Sequence, residues 1–123
     1  MAERMSKLQI VERQMDDITV LALTGELRAD DANAALGQHL DALIARKRVK
    51  VVINLSGVTY IDSSGVGIMV AKLKLLRKDG GALKLACLTA RSQHLLAMLR
   101  LVFEMFDSED AAVLSFSSGA AVY

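Results

Sequence analysis

Four residues near the middle of the chain, Asp62-Ser63-Ser64-Gly65, combine a carboxylate with two hydroxyls where a helix is expected to begin. Such an oxygen often caps the helix by accepting hydrogen bonds from the free N–H groups of the first turn. A hydroxyl there is also a favourable place for an added phosphate, which meets the same N–H groups and the positive end of the helix dipole. The residue types alone leave capping and function about evenly balanced. Because one cap is sufficient and three candidates are present, the redundancy favours a functional site.

Ser64 does not fit the pattern of a hydrolase nucleophile. The nucleophile elbow requires Gly-x-Ser-x-Gly, whereas the flanking positions here are Asp62 and Val66. A catalytic triad also requires a base, and the two histidines, His39 and His94, are typical of isolated surface or boundary residues. We therefore predict a protein that is not an enzyme.

Motifs for cofactors and metals are incomplete. Gly65-Val66-Gly67 begins like a dinucleotide-binding fingerprint, but Val70 stands where the third glycine belongs, and no P-loop is present. One cysteine and two distant histidines do not form a metal site. Cys87 itself is expected to be a small buried residue of a strand. We predict no cofactor and no metal.

The composition fits one soluble domain. Of 123 residues, 53% are hydrophobic, and 15 Lys and Arg against 14 Asp and Glu give a net charge of +1. This balance gives no reason to expect nucleic acid as a partner. No uncharged apolar stretch approaches the roughly 20 residues that cross a bilayer, and the N-terminus lacks a secretory signal. We expect a single cytoplasmic domain over 1–123, without direct membrane insertion and with a loosely ordered tail at about 118–123.

Strand-like and helix-like stretches alternate along the chain. Strands are indicated at 8–11, 18–23, 49–55, 83–88 and 103–106. Helices are indicated behind Asp30 and Asp31, from 65 to 78, behind Ser92, and from 108 to about 117. The order β-β-α-β-α-β-α-β-α predicts an α/β fold with a mixed, mostly parallel sheet that opens with a hairpin.

Local signals suggest where the strands end. Residues 14–17 are expected to form a polar turn, and Gly25 to end the second strand. Ser56-Gly57 is expected to be a turn before a separate extended segment at 58–61. The run at 49–55 alternates little, which predicts a central strand covered on both faces.

The helices show apolar stripes with recognisable ends. The first helix carries a stripe at spacings of three and four: Ala32, Ala35, Leu36, Leu40, Leu43 and Ile44. Asp79-Gly80-Gly81 is expected to stop the second helix. Asp107 with Asp110 resembles a capping box for the last helix.

The helix that follows Ser64 carries two stripes. The first is expected to face the core: Val66, Met69, Val70, Leu73 and Leu76. The second follows Ser64 at helical spacing: Ile68, Ala71, Lys72 and Leu75. A helix that is apolar on two sides is either sandwiched within the domain or docks a partner. With Ser64 at its head, we predict a partner surface.

Taken together, these segments resemble the STAS domain family, and within it the bacterial anti-sigma factor antagonists. The resemblance rests on Thr24-Gly25-Glu26-Leu27, on 51–67 with its Asp-Ser-Ser-Gly, and on 102–107. The central stretch is specific for the family, while the other two are weak alone but fall in the right order. The resemblance implies the STAS fold, in agreement with the predicted order of elements.

The resemblance also implies a switch controlled by phosphorylation. In such proteins the second serine of Asp-Ser-Ser-Gly is the phosphoacceptor, which corresponds to Ser64, with Asp62, Ser63 and Gly65 in the switch loop. The implied partner is an anti-sigma factor that is also a serine kinase of the GHKL type, and a PP2C-type phosphatase reverses the modification. The unphosphorylated antagonist binds the kinase, and phosphorylation ends that binding. The residues assigned to the partner surface are Glu26, Ile68, Ala71, Lys72 and Leu75.

Two positions depart from the family pattern. Arg28 stands where an Asp often follows Gly-Glu-Leu, with Asp30 and Asp31 displaced. Asn54 stands where the third strand commonly ends in Asp, and we expect this replacement to remove a negative charge close to the switch loop. An alternative within the resemblance is a STAS subunit of a lipid-transport ATP-binding-cassette complex, in which the same surface docks a transporter without phosphorylation. A serine, and not Thr or Ala, at position 64 favours the phosphorylated switch.

Overall fold

A mixed sheet with helices on both faces forms the framework of the computed structural model, which describes residues 8–28, 31–89 and 95–121. The strands are β1 (Gln9–Met15), β2 (Ile18–Leu27), β3 (Lys50–Ile61), β4 (Ala82–Ala86) and β5 (Met105–Phe106). The helices are α1 (Asp31–Ala45), α2 (Ser63–Lys78), α3 (Leu96–Val102) and α4 (Glu109–Ala121). The strands lie in sequence order across the sheet, with β1 antiparallel to β2 and the other neighbours parallel. The predicted α/β class, opening hairpin and element order are confirmed.

The central strand β3 is covered on both faces, as its apolar run predicted. Val51 and Ile53 belong to a large core that α1 and α2 share with the sheet, whereas Val52 lies in a smaller core beneath α4. On α1 the stripe is buried at Leu36, Leu40 and Leu43, but Ala35 is exposed. On α2 the predicted core stripe is buried except at Val70, which is partly exposed.

The opening hairpin is longer than predicted. β1 continues to Met15, which pairs with Ile18, so the turn is Asp16-Asp17 alone and Asp16 adopts a positive φ of 58°. The polar turn predicted at 14–17 is confirmed at 16–17, but Gln14 and Met15 belong to β1, because backbone pairing on an edge strand tolerates polar side chains.

β2 and β3 also continue where turns were predicted. β2 passes through Gly25 to Leu27, and β3 passes through Ser56-Gly57 without a break. Two register shifts in this region each give β3 one more residue than β2, so β3 bulges against β2. A Cβ on Gly57 would lie 2.7 Å from the Leu23 carbonyl oxygen, so this glycine permits close approach of the strands and does not form a turn.

The later elements differ in detail. The predicted capping box of α4 was wrong, because Ser108 Oγ accepts the Ala111 backbone N–H at 3.1 Å. α4 also extends through 118–121, where a loose tail was expected. Residues 122–123, like the predicted cap Ser92, lie outside the described residues.

Cys87 lies just beyond β4, where it is partly exposed and has a φ of 62°. The prediction that it is a buried strand residue was therefore wrong. Burial still raises the pKa of its thiol.

Candidate functional site

The N-terminus of α2 is capped by Asp62. Its Oδ1 accepts the backbone N–H groups of Ser64 at 3.1 Å and of Gly65 at 3.2 Å, while its own backbone is extended. The cap is placed by the long β2–β3 pair, since the Asp62 N–H donates to the Leu27 carbonyl oxygen at 3.4 Å. Capping is therefore assigned to Asp62, which leaves the Ser64 hydroxyl available for another role.

The Ser64 hydroxyl is held by two side chains. It donates a hydrogen bond to Asp62 Oδ1, and its oxygen accepts one from Asn33 Nδ2 of α1 at 3.0 Å. Ser64 is partly exposed, whereas the neighbouring Ser63 is exposed. The two serines thus differ in environment, and the structure sets Ser64 apart from Ser63 on grounds independent of any motif.

Asn33 is the site residue that the sequence analysis missed. It lies on α1 three positions before Leu36, within the apolar stripe, and only 6% of it is exposed. Its Oδ1 has no hydrogen-bond partner among the residues that the structure describes. A polar residue in register with an apolar stripe is the signal that could have found it.

The carboxyl group of Asp62 is held in its charged form. Its pKa is lowered from the ordinary value of 3.8, mainly by the hydrogen bond from the Ser64 hydroxyl. The backbone N–H groups of Gly65 and Ser64 and the positive charge of Arg28 act in the same direction, and burial acts against them. A negative charge therefore lies beside Ser64 at neutral pH.

Arg28, the first departure from the family pattern, lies beside this site. Its Nε is 2.6 Å from Glu26 Oε1, and its guanidinium lies 4.2 Å from the ring centroid of Tyr60. Glu26 and Tyr60 are cross-strand neighbours in the bulged region of β2 and β3. The predicted partner residue Glu26 thus forms an ion pair with Arg28. At position 28 the site carries a cation, whereas the family pattern has an acid there.

Asn54, the second departure, acts elsewhere. Because β3 continues to Ile61, Asn54 is far along the strand from Asp62 and not at the end of it. Its Nδ2 donates to Glu109 Oε2 of α4 at 2.5 Å, on the side of the sheet that α4 covers. The expectation that this replacement removes a charge close to the loop was wrong.

The second stripe of α2 is divided between two environments. Lys72 Nζ lies 2.8 Å from Asp41 Oδ1 of α1, and Ile68 is partly buried against the core. Ala71 is exposed, and Leu75 is 41% exposed. Half of the stripe therefore lines the seam with α1, and the other half faces outward from the same helix as Ser64.

Other candidate chemistry lies outside this site. His39 Nε2 is 2.7 Å from Glu12 Oε1 of β1, and this contact is the main reason that the pKa of Glu12 is lowered. His94 is not among the described residues. Within the described ranges, no cluster of His, Cys, Asp or Glu could hold a metal ion, and no helix is long and apolar enough to span a membrane.

Comparison with known proteins shows the relationship directly. The family model "STAS domain" matches residues 9–112. An anti-sigma-B factor antagonist of Bacillus subtilis (strain 168) is 40% identical over 81 residues, which are 66% of this chain and 72% of the relative. An anti-sigma F factor antagonist of Paenibacillus polymyxa is 26% identical over 104 residues, covering 83% and 89% of the two chains.

A solved structure agrees in fold. The crystal structure of an anti-sigma factor antagonist from Mycobacterium paratuberculosis superposes with a TM-score of 0.74 at 26% identity, covering 89% of this chain and 94% of the other. The mixed five-stranded sheet of the described residues is thus the STAS fold that the sequence predicted. With a family match from β1 into α4, the chain belongs to the STAS domain family.

Proposed function

We propose that this chain is an anti-sigma factor antagonist that acts in the cytoplasm by binding and not by catalysis, and that phosphorylation of Ser64 controls the binding. In its unphosphorylated form it binds an anti-sigma factor and so frees a sigma factor for transcription. The anti-sigma factor is a serine kinase of the GHKL type, which phosphorylates Ser64 and ends the complex. A PP2C-type phosphatase restores the binding form. The unit that acts is one STAS domain over 1–123.

The observation that carries this proposal is the environment of the Ser64 hydroxyl. Asp62 caps α2, so Ser64 is not required as the cap. Ser64 remains partly exposed at the first turn, with its oxygen held by Asn33 and its proton directed at Asp62. Two relatives named as antagonists of anti-sigma factors give the kind of partner.

Electrostatics explain how such a modification can act as a switch. A phosphate adds about −1.5 to −2 charges at neutral pH. The positive end of the α2 dipole and the nearby Arg28 stabilise these charges, so the domain keeps its fold. Asp62 repels them, and a partner that covers the head of α2 must remove water from them, which is costly. The exposed residues Ala71 and Leu75 extend that partner surface along α2, with Glu26, Ile68 and Lys72 at its border.

The test is phosphorylation by a GHKL-type anti-sigma factor kinase from the source genome. The purified chain is incubated with the kinase and ATP, and its intact mass is measured. We expect a gain of one phosphoryl group in the unaltered chain and in Ser63→Ala, and none in Ser64→Ala. Ser63 is the matched control because it lies one residue away and is exposed.

Binding gives the second measurement. We expect the unphosphorylated chain to bind the kinase and the phosphorylated chain to bind it at least about tenfold more weakly, a coupling free energy of about 1.4 kcal/mol. A mass gain that persists in Ser64→Ala would contradict the assignment of the site. Equal affinity of the two forms would contradict the switch.

A further inference from the structure

The Ser64 hydroxyl is oriented by two groups that act on different parts of it. Asp62 Oδ1 accepts a hydrogen bond from its O–H group, and Asn33 Nδ2 donates a hydrogen bond to its oxygen at 3.0 Å. A hydroxyl oxygen has two lone pairs. With one of them directed at Asn33 and the proton directed at Asp62, the direction of the remaining lone pair is set. Asp62 belongs to the loop of Ser64 itself, whereas Asn33 is supplied by α1 across the helix seam.

Asn33 has no evident structural reason to be an asparagine. It is 6% exposed and shares the apolar stripe of Leu36, Leu40 and Leu43. Its Oδ1 lacks a hydrogen-bond partner among the described residues. A buried carbonyl oxygen without a partner is destabilising, and an aliphatic side chain at this position would avoid that cost. A buried polar group that is kept at such a cost calls for an explanation, and a functional site is where such exceptions are expected.

We propose that Asn33 is a positioning residue for phosphoryl transfer to Ser64: its side-chain amide holds the Ser64 oxygen with one lone pair directed at the phosphoryl donor. This inference rests on the proposed function. In the transfer, that lone pair forms the bond to the γ-phosphorus of ATP. The bond from phosphorus to the β,γ-bridging oxygen breaks, and its electron pair leaves on ADP. The hydroxyl proton, which is hydrogen-bonded to Asp62 in this structure, passes to the carboxylate base of the kinase.

The side-chain amide of Asn33 is an uncharged hydrogen-bond donor, so it can bind Ser64 both before and after phosphorylation. Because phosphoryl transfer depends mainly on positioning, a fixed Oγ raises the rate of the chemical step. Once the phosphate is attached, Ser64 no longer has a proton to donate to Asp62, and the negative phosphate is repelled by that carboxylate. The Asn33 amide still donates, now to an oxygen of the phosphoserine. Asn33 therefore orients the group before and after transfer.

The experiment measures steady-state kinetics of the GHKL-type kinase with the full chain as the varied substrate. Asn33→Ala removes the donor, and Asn33→Leu removes it with an apolar side chain of about the same length and no new charge. For both variants we expect kcat to fall about tenfold to a hundredfold, with KM within about twofold, because buried Asn33 does not form the docking surface. Leu40→Val is the control: it disturbs the buried face of the same helix about two turns away from Asn33.

The outcomes separate the two proposals. If the unaltered chain is not phosphorylated, or Ser64→Ala still is, the proposed function itself fails. If Ser64 is phosphorylated and both Asn33 variants keep the kcat of the unaltered chain, only the role of Asn33 is overturned. Thermal unfolding checks the fold of each variant. Loss of the fold in both Asn33 variants, or an equal fall of kcat in Leu40→Val, would show that Asn33 is structural and would also overturn the inference.

Discussion

Asp62 combines a structural role with an electrostatic one. The same Oδ1 caps α2 and accepts the hydroxyl of Ser64, so its charge is fixed beside the proposed phosphoacceptor. The sequence identified this cluster but could not divide its roles, because any of three side chains could serve as the cap. Asp62 is the cap because it directly follows the end of β3, and that position depends on pairing with β2, a strand far from the motif along the chain.

Replacing Asp62 with Ala should lower the free energy of unfolding by about 1 kcal/mol at neutral pH, through loss of the cap. The pKa of Asp62 in the folded chain is lowered from 3.8. Its charge therefore stabilises the fold above that value, and the contribution is lost as the pH falls through the lowered pKa. The difference between the unaltered chain and Asp62→Ala should shrink in acid, as measured by urea unfolding at several pH values. As a control, Ser63→Ala should change the free energy of unfolding by less than about 0.5 kcal/mol. If the difference between the unaltered chain and Asp62→Ala does not depend on pH, the charge of Asp62 does not stabilise the fold.

At the scale of elements, the glycines of β2 and β3 lie inside the strands and not at their ends. Gly57 looked like a turn residue, yet it lies inside a continuous β3, where the carbonyl of Leu23 approaches too closely for any side chain. Sequence patterns locate apolar runs well, which is why the element order was predicted in full. They do not show whether a glycine marks a turn or a close contact, because that depends on the neighbouring strand. For the same reason, the sequence did not show that β2 continues beyond Gly25 to Leu27.

A pair of glycine substitutions tests this interpretation. Gly57→Ala should destabilise the chain by about 1–3 kcal/mol, since its Cβ would lie 2.7 Å from the Leu23 oxygen and 2.9 Å from Thr24 Oγ1. Gly67→Ala is the matched control: it lies within α2 with nothing within 4 Å of the added Cβ, and it should stabilise by about 0.5–1 kcal/mol. Chemical denaturation measures both changes. A neutral effect of Gly57→Ala would show that the bulge tolerates a side chain.

At the scale of the whole molecule, the two faces of the sheet have separate tasks. The head of α2 and Asn33 lie on the face that α1 and α2 cover. On the opposite face, Glu109 links α4 to the sheet: its Oε1 accepts from Arg13 of β1 at 3.0 Å and its Oε2 from Asn54 of β3. The sequence predicted both layers but not these pairings, because residues 13, 54 and 109 are distant along the chain. Only the register of the sheet brings them together.

This separation predicts that α4 can be weakened without affecting the switch. Glu109→Ala should lower the free energy of unfolding by about 1–3 kcal/mol, because both hydrogen bonds are lost and Asn54 is left partly buried without this partner. Hydrogen bonds from Asn54 and Arg13 lower the pKa of Glu109 below 4.5, so this stabilisation should disappear as the pH falls through the lowered value. Asp110→Ala, a change to the exposed neighbouring acid in the same helical turn, controls for the helix dipole and should have a smaller effect. The kinase should phosphorylate Glu109→Ala at the unaltered rate wherever the variant is folded. A slower rate would mean that the two faces are coupled through β3, since additivity is expected only for sites that share no partner.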